Sequence, residues 1–325
     1  MITDGDSNMD IRHAVSEIRR HGLDRTWWRK RFLTRVVSRY FTGVGRPVND
    51  PVTTEDWDNL VILDACRYDL FAEVFEESPL PGILEKRRTV QSGTPGFLSE
   101  TFAGEEFHDV VYVTGNPYVD TDLPKDTFHA VESVWKDDWD KDLQTIHPDT
   151  MAELTLEAAE RYPDKRIISH FLQPHTPFVG EVTLGQRETF AIRQKALGDE
   201  DARTRHRTPF ELLDAGEVSH ERVWEAYRSN LEFAWPAVNR LLAELPGLTA
   251  VTSDHGNAMG ERAWPFPIRV YGHPLGVLIP ALTDVPWLTN TNGSRKKITS
   301  EPPESVDTEI DERTTERLRT LGYAK

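Results

Sequence analysis

Thr252-Ser253-Asp254-His255-Gly256 follows the apolar run Leu248-Thr249-Ala250-Val251, so a carboxylate and an imidazole stand side by side where a buried strand ends. Consecutive strand residues point to opposite faces, but where the chain turns, both side chains can converge on one ion. Carboxylate plus imidazole suits zinc or manganese better than magnesium or calcium. A polar turn uses the same residue types, so the pair needs partners from elsewhere.

Four segments offer them. Asn59-Leu60-Val61-Ile62-Leu63-Asp64 is an apolar run ending in a carboxylate, followed by Ala65-Cys66-Arg67-Tyr68-Asp69. In a parallel sheet the binding crevice lies beyond the carboxyl ends of the strands, where Asp64 falls; as an alternative, Asp64 caps the next helix. Gln91-Ser92-Gly93-Thr94-Pro95-Gly96 presents a hydroxyl on a turn just before a helix, where free N–H groups favour anions. A metal beside that hydroxyl would lower its pKa and make it a nucleophile. Thr94 is the first choice and Ser92 the competitor, while Thr94 as a simple N-cap before Pro95 is the structural alternative. His175 lies between Pro174 and Pro177, and His273 in Tyr271-Gly272-His273-Pro274. His170, inside a strand, reads as a core histidine.

From Asn59 onward, strands alternate with helices, which implies a mostly parallel sheet covered on both faces. The predicted strands are 59–63, 110–114, 166–171, 248–253 and 276–279; the predicted helices are 68–75, 95–102, 148–161 and 221–245. Residues 180–220 are charged and aperiodic and read as a lid or insertion. The resulting organisation is a polar N-terminal segment with a basic amphipathic helix (1–50), an α/β catalytic domain (51–287), and a linker with a C-terminal tail helix (288–325).

The formal net charge of −16 over 325 residues disfavours nucleic acid as a partner. Acidic excess with few lysines predicts either a high-salt setting, such as a halophilic archaeon, or an ordinary acidic cytosolic protein. One cysteine, Cys66, excludes an intramolecular disulfide and a cysteine-rich zinc site. Lacking a membrane-spanning apolar run and a signal-peptide core, the chain is expected to be soluble and cytoplasmic. Residues 25–41 (RTWWRKRFLTRVVSRYF) are basic and aromatic within this acidic chain. As a helix they place Trp28, Phe32 and Val36 on one face, which either lies peripherally on an anionic membrane or packs against the main domain.

In order, LDACRYD at Asp64, SGTPGF at Thr94, QPHTPF at His175, SDHGNAMGE at Asp254 and His255, and YGHP at His273 resemble the alkaline phosphatase superfamily, in its sulfatase-like and phosphoethanolamine-transferase branch. The tail Glu316 to Tyr323 resembles the ends of many sulfatase-like proteins. The resemblance implies an α/β fold, an alkaline-phosphatase-like three-layer α/β/α sandwich with a mostly parallel central sheet. It further implies a divalent metal, zinc or manganese, held by Asp64, Asp254, His255 and the Thr94 hydroxyl. His175 and His273 would bind the transferred group or a second metal, and Arg67 could contact a substrate anion. The implied activity is hydrolysis or transfer of a phosphate ester, with a small-molecule, glycan or lipid-linked substrate. Sulfatases convert a cysteine in Cys-x-Pro-x-Arg, and no such motif occurs here. Sulfate-ester hydrolysis without formylglycine is therefore the lesser enzymatic alternative, and a degenerate protein binding a glycan or lipid intermediate is the non-enzymatic one.

Overall fold

Strand β1, Asn59–Asp64, is buried along its whole length, as a strand covered on both faces must be. It pairs in parallel with β5 (Arg166–Pro174) and β6 (Gly247–Ser253). Beyond β5 lie β3 (Phe107–Thr114) and β4 (Phe128–Glu132), also parallel. Beyond β6, β9 (Asp284–Asn292) runs antiparallel and β2 (Ile83–Arg88) closes the edge. The seven-stranded order is β2-β9-β6-β1-β5-β3-β4. A second, two-stranded sheet joins β7 (Ala258–Arg262) to β8 (Arg269–Gly272).

The alternation of side chains along β1 separates two cores. Val61 and Leu63 enter a cluster with the Tyr68–Glu77, Pro148–Arg161 and His220–Glu244 helices. Leu60 and Ile62 face the opposite layer, where Phe97, Leu98 and Phe102 of the Thr94–Phe102 helix pack. This is the three-layer α/β/α arrangement with a mostly parallel central sheet.

The computed structural model describes residues 25–44, 50–184 and 207–303, together with Gly22, Arg193, Ala196 and Leu197. Most of the expected polar N-terminal segment, residues 185–206 of the 180–220 lid other than Arg193, Ala196 and Leu197, and the C-terminal tail helix lie outside the described residues.

Several sequence expectations are corrected. Residues 276–279 form no strand; they are a buried irregular segment leading into the short Pro280–Thr283 helix. The linker expected from 288 begins too early, because β9 pairs through Asn292 with Gly247, and the domain boundary at 287 therefore falls inside a strand. The basic N-terminal helix forms as Arg25–Phe32, a π-helical turn at Leu33–Val37, and Ser38–Val44. Its packed face is not the Trp28, Phe32 and Val36 row. Leu33, Val37 and Phe41 are the residues that bury, against Ala258, Val270, Val277 and Leu282.

Candidate metal centre and active site

Because β1, β3, β5 and β6 are parallel, their carboxyl ends lie on one rim of the sheet. That rim brings Asp64, the turn after β3, His175 and the Asp254-His255 pair together. At the end of β1 the pairing register slips between Leu63 and Asp64, and Ala65 takes φ 62°. A non-glycine residue in that region costs about 1–2 kcal/mol. The conformation is held from three sides. Ala65 N–H donates to Asp254 Oδ1 at 2.9 Å, Cys66 N–H donates to Ser253 Oγ at 2.8 Å, and the Tyr227 hydroxyl donates to the Ala65 carbonyl. Asp64 is therefore no helix cap; Arg67 begins the next helix without a side-chain cap.

Asp64, Asp254 and His255 are all buried, and each places a ligand atom within 4.8 Å of the others. His255 Nε2 is 3.7 Å from Asp64 Oδ1 and 3.5 Å from Asp254 Oδ2. His255 Nδ1 lies 2.9 Å from the Gly256 carbonyl oxygen. A carbonyl can only accept, so Nδ1 carries the proton and Nε2 turns its lone pair to the carboxylates, the tautomer a metal ligand needs. Burial holds His255 below its ordinary pKa. Burial pushes Asp254 up, but His255, His170, the Ala65 N–H and the Thr94 hydroxyl together hold its carboxyl below the usual range.

The Thr94 hydroxyl completes the cluster, donating to Asp254 Oδ2 at 2.7 Å and lying 3.4 Å from His255 Nε2. It does not cap its helix: Gly93 occupies the N-cap position with no side-chain bond. Ser92 Oγ instead donates to the Pro274 carbonyl at 3.0 Å. Of the two hydroxyls, only Thr94 faces the carboxylates.

Above the cluster is a cavity of about 200 Å³, whose lining includes Asp64, Thr94, Asn116, Tyr118, His175 and His273. This is smaller than the ~300–1,000 Å³ of drug-sized sites and suits the head of a substrate. Among the described residues, no lysine or arginine lines it. Two buried carboxylates beside His255, whose burial disfavours the charged imidazole, with no described lysine or arginine at the cavity, form a set that a divalent ion would compensate. Oxygen and imidazole donors fit zinc or manganese.

His175 Nδ1 donates to the Thr176 carbonyl at 2.8 Å, and His273 Nδ1 to Asn257 Oδ1 at 2.8 Å, so both turn Nε2 away from those partners. Ring centroids place His273 4.7 Å from His255 and 5.2 Å from His175. Burial, then His255 and His175, hold His273 well below its usual pKa. His170 is the core residue its strand position implies. It shares a 3.0 Å hydrogen bond with the Tyr112 hydroxyl, yet its Nε2 reaches within 3.9 Å of Asp254.

Arg67 departs from expectation. Its guanidinium binds Asp69, Glu261 and the Asn257 carbonyl, stacks on Trp224, and does not line the cavity. It ties the start of its helix to β7 rather than facing a substrate. Two residues escaped the sequence reading. Asn116, in the turn after β3, donates to Asp64 Oδ2 at 2.8 Å and lines the cavity. Its position at a strand's carboxyl end was the available signal. Asn230, on the long helix, donates to the carbonyls of Pro174, His175 and Pro177 and accepts from Val179 N–H, clamping the His175 turn.

No family model matches the sequence, and no curated protein matches it either. Similarity is found among solved structures. The soluble domain of lipooligosaccharide phosphoethanolamine transferase A from Neisseria meningitidis is 12% identical with TM-score 0.41, over 71% of this chain and 75% of that one. The C-terminal periplasmic domain of EcEptC from Escherichia coli, in complex with Zn, is 13% identical with TM-score 0.36, over 75% and 77%. A protein in the alkaline phosphatase superfamily from Vibrio parahaemolyticus is 9% identical with TM-score 0.39, over 74% and 62%. The chain is similar to phosphoethanolamine transferases and other alkaline phosphatase superfamily members. At these identities the functional reading rests on the residues of this chain.

Proposed function

We propose that the protein is a metal-dependent enzyme that hydrolyses or transfers a phosphate ester, with Thr94 as its nucleophile. The observation that carries this reading is the Thr94 hydroxyl, turned onto Asp254 beside Asp64 and His255 at the floor of an open cavity. Asp64, Asp254, His255 and Thr94 would hold a zinc or manganese ion. When bound, the ion supplies Lewis-acid stabilisation and a lowered Thr94 pKa.

The chain's own residues do the rest. Thr94 Oγ1 bonds to phosphorus as the ester P–O bond breaks, giving a phosphothreonine. The proton that Thr94 gives up reaches the leaving oxygen through His175 or His273, each with Nδ1 already committed to an acceptor. Water or an acceptor alcohol then attacks phosphorus, its proton passes by the same imidazoles, and the Thr94 hydroxyl is restored. Asn116 orients Asp64, and the small cavity admits the head of a small-molecule, glycan or lipid-linked ester.

Cys66, fully buried and absent from the cavity lining, offers no formylglycine precursor there; sulfate-ester hydrolysis by an unmodified hydroxyl is separated from the phosphate reading by assay. Aryl phosphate mono- and diesters and an aryl sulfate, assayed side by side with zinc- or manganese-loaded protein, test the reading. Turnover of a phosphate ester with a covalent phosphoryl adduct on Thr94 is expected. Turnover of the sulfate alone, or of none, overturns it.

A further inference from the structure

The N-terminal helical segment buries one face and leaves the apolar groups of the other partly exposed. Leu33, Val37 and Phe41 are buried, whereas Trp28 is 45%, Phe32 38% and Val36 44% exposed. These three follow one another at i, i+4 spacing, which keeps them on one face. Arg35 and Arg39 are exposed at the same spacing and make no ion pair among the described residues. Arg29 and Lys30, by contrast, are neutralised by Asp214 and Glu211. Between 25 and 41 there is no acidic residue, in a chain of net charge −16.

The catalytic domain adds further exposed groups beside the helix. Phe266 packs edge-on against Phe32 and Tyr40, with centroids 5.8 and 5.1 Å away. The turn carrying Phe266 holds Trp264 outward at 73% exposure, between exposed Arg262 and Arg269 of β7 and β8. Gly276 approaches the helix so closely that a Cβ there would lie 2.9 Å from Ser38 Cβ. Its neighbour Leu275, 49% exposed, lines the catalytic cavity. Exposed Trp264 on the turn beside Phe32, and exposed Leu275 on the segment beside Ser38, thus flank the helix, and Leu275 belongs to the cavity lining.

We infer that this surface docks on an anionic lipid bilayer and so sets the cavity mouth at the membrane interface. Tryptophan and phenylalanine beside arginine are the residue types that seat at the headgroup boundary, with apolar insertion and attraction to anionic lipid acting together. The charge favours lipid over a second copy of this chain, whose net surface is acidic but whose corresponding face would repel its like. The inference adds to the proposed phosphate-ester chemistry a substrate presented at a membrane surface, and it rests on that reading only for the meaning of the cavity.

Co-sedimentation of the full chain with vesicles of phosphatidylcholine alone, or of phosphatidylcholine with phosphatidylglycerol, tests it. Binding to the anionic vesicles only, falling as salt is raised, is expected. Arg35→Glu with Arg39→Glu, and separately Trp28→Ser with Phe32→Ser, should each weaken that binding by at least ~10-fold. Both variants should keep wild-type turnover of a soluble aryl phosphate. Should the double serine variant fail to fold, Trp264→Ser alone is measured, with a several-fold loss expected. Absence of binding by the wild-type protein, or binding that the variants leave unchanged, overturns the inference. So does a concentration-dependent dimer in light scattering that Trp28→Ser abolishes. Failure of the catalytic reading would show differently, as vesicle binding without turnover of the soluble ester.

Discussion

Thr94 Oγ1 donates to Asp254 Oδ2 at 2.7 Å across 160 positions of sequence. The bond joins the start of one helix to the end of β6, and Thr89 reinforces it by donating its hydroxyl to the Asp254 carbonyl at 2.7 Å. With Ala65 N–H on the other carboxylate oxygen, Asp254 is fixed between the Thr94 turn and the end of β1. A carboxylate so held cannot swing away, which preorganises the cluster.

Thr94→Ala is expected to lower kcat by at least ~10³-fold, because among the described residues Thr94 alone both bonds a cluster carboxylate through its hydroxyl and lines the cavity, Ser253 being fully buried and absent from that lining. Zinc or manganese content of the purified variant, measured by elemental analysis, should stay near wild type, since two carboxylates and an imidazole remain. Ser92→Ala should change kcat only several-fold. An inactive Ser92→Ala beside an active Thr94→Ala would transfer the nucleophile to Ser92.

Removing metal should cost stability as well as activity. Asp64 and Asp254 lie buried within a few ångströms of one imidazole, and an ion that binds only the folded chain stabilises it by mass action. Treatment with chelator should abolish turnover and lower Tm by several degrees, with zinc or manganese restoring both. Chelator-insensitive turnover would remove the metal from the mechanism.

Asn116→Ala leaves Asp64 Oδ2 without its 2.8 Å donor. Loss of a group that orients a metal ligand costs about 10–100-fold in metal affinity or activity. Competition against a chromophoric chelator should show weaker metal binding by that factor. Unchanged affinity together with a raised KM would assign Asn116 to the substrate instead.

The legible part of this site is the part that sits at strand ends. Asp64 and Asp254 each terminate an apolar run, and a polar residue there stands out against its neighbours. Asn116, in Gly-Asn-Pro, has the composition of a turn and gave no such contrast. The edge of the sheet was hidden for a different reason: β2 reads ILEKRR, and charge on an edge strand protects it from pairing with other chains while erasing the alternation that marks strands. In β9 (DVPWLTNTN), polar residues at the sheet's periphery look like a linker. Helix 25–44 carries two apolar rows, Trp28-Phe32-Val36 and Leu33-Val37-Phe41; periodicity alone does not decide which one packs, and the row without tryptophan does.

Arg67 belongs to stability rather than chemistry. It donates to Asp69 and Glu261 and to the Asn257 carbonyl while lying over Trp224 at 5.3 Å. Both carboxylate partners keep contact with water, so the pairs are worth less than fully buried ones. Arg67→Met should destabilise the protein by about 1–3 kcal/mol in chemical denaturation, with KM for a phosphate ester within about twofold of wild type. A large rise in KM at unchanged stability would return Arg67 to the substrate.

Asn230→Ala tests whether the His175 turn needs its clamp. The Asn230 amide donates to the carbonyls of Pro174 at 3.0 Å and His175 at 2.9 Å, and its oxygen accepts from Val179 N–H at 2.9 Å. Asn230 and the Pro174 and His175 carbonyls are buried and the Val179 N–H partly so, so truncation leaves backbone acceptors unsatisfied, at about 2–4 kcal/mol in total. The His175 backbone N–H also donates to the Asp64 carbonyl at 3.0 Å. The turn therefore stays tethered at one end, and the variant should fold at reduced Tm. Because His175 would keep its chemistry but lose its placement, kcat should fall more than metal affinity. Asn230→Asp, which keeps the acceptor and loses the donors, separates the two halves of the clamp: a kcat close to that of Asn230→Ala is expected, whereas wild-type kcat would show that the Val179 bond alone positions the turn.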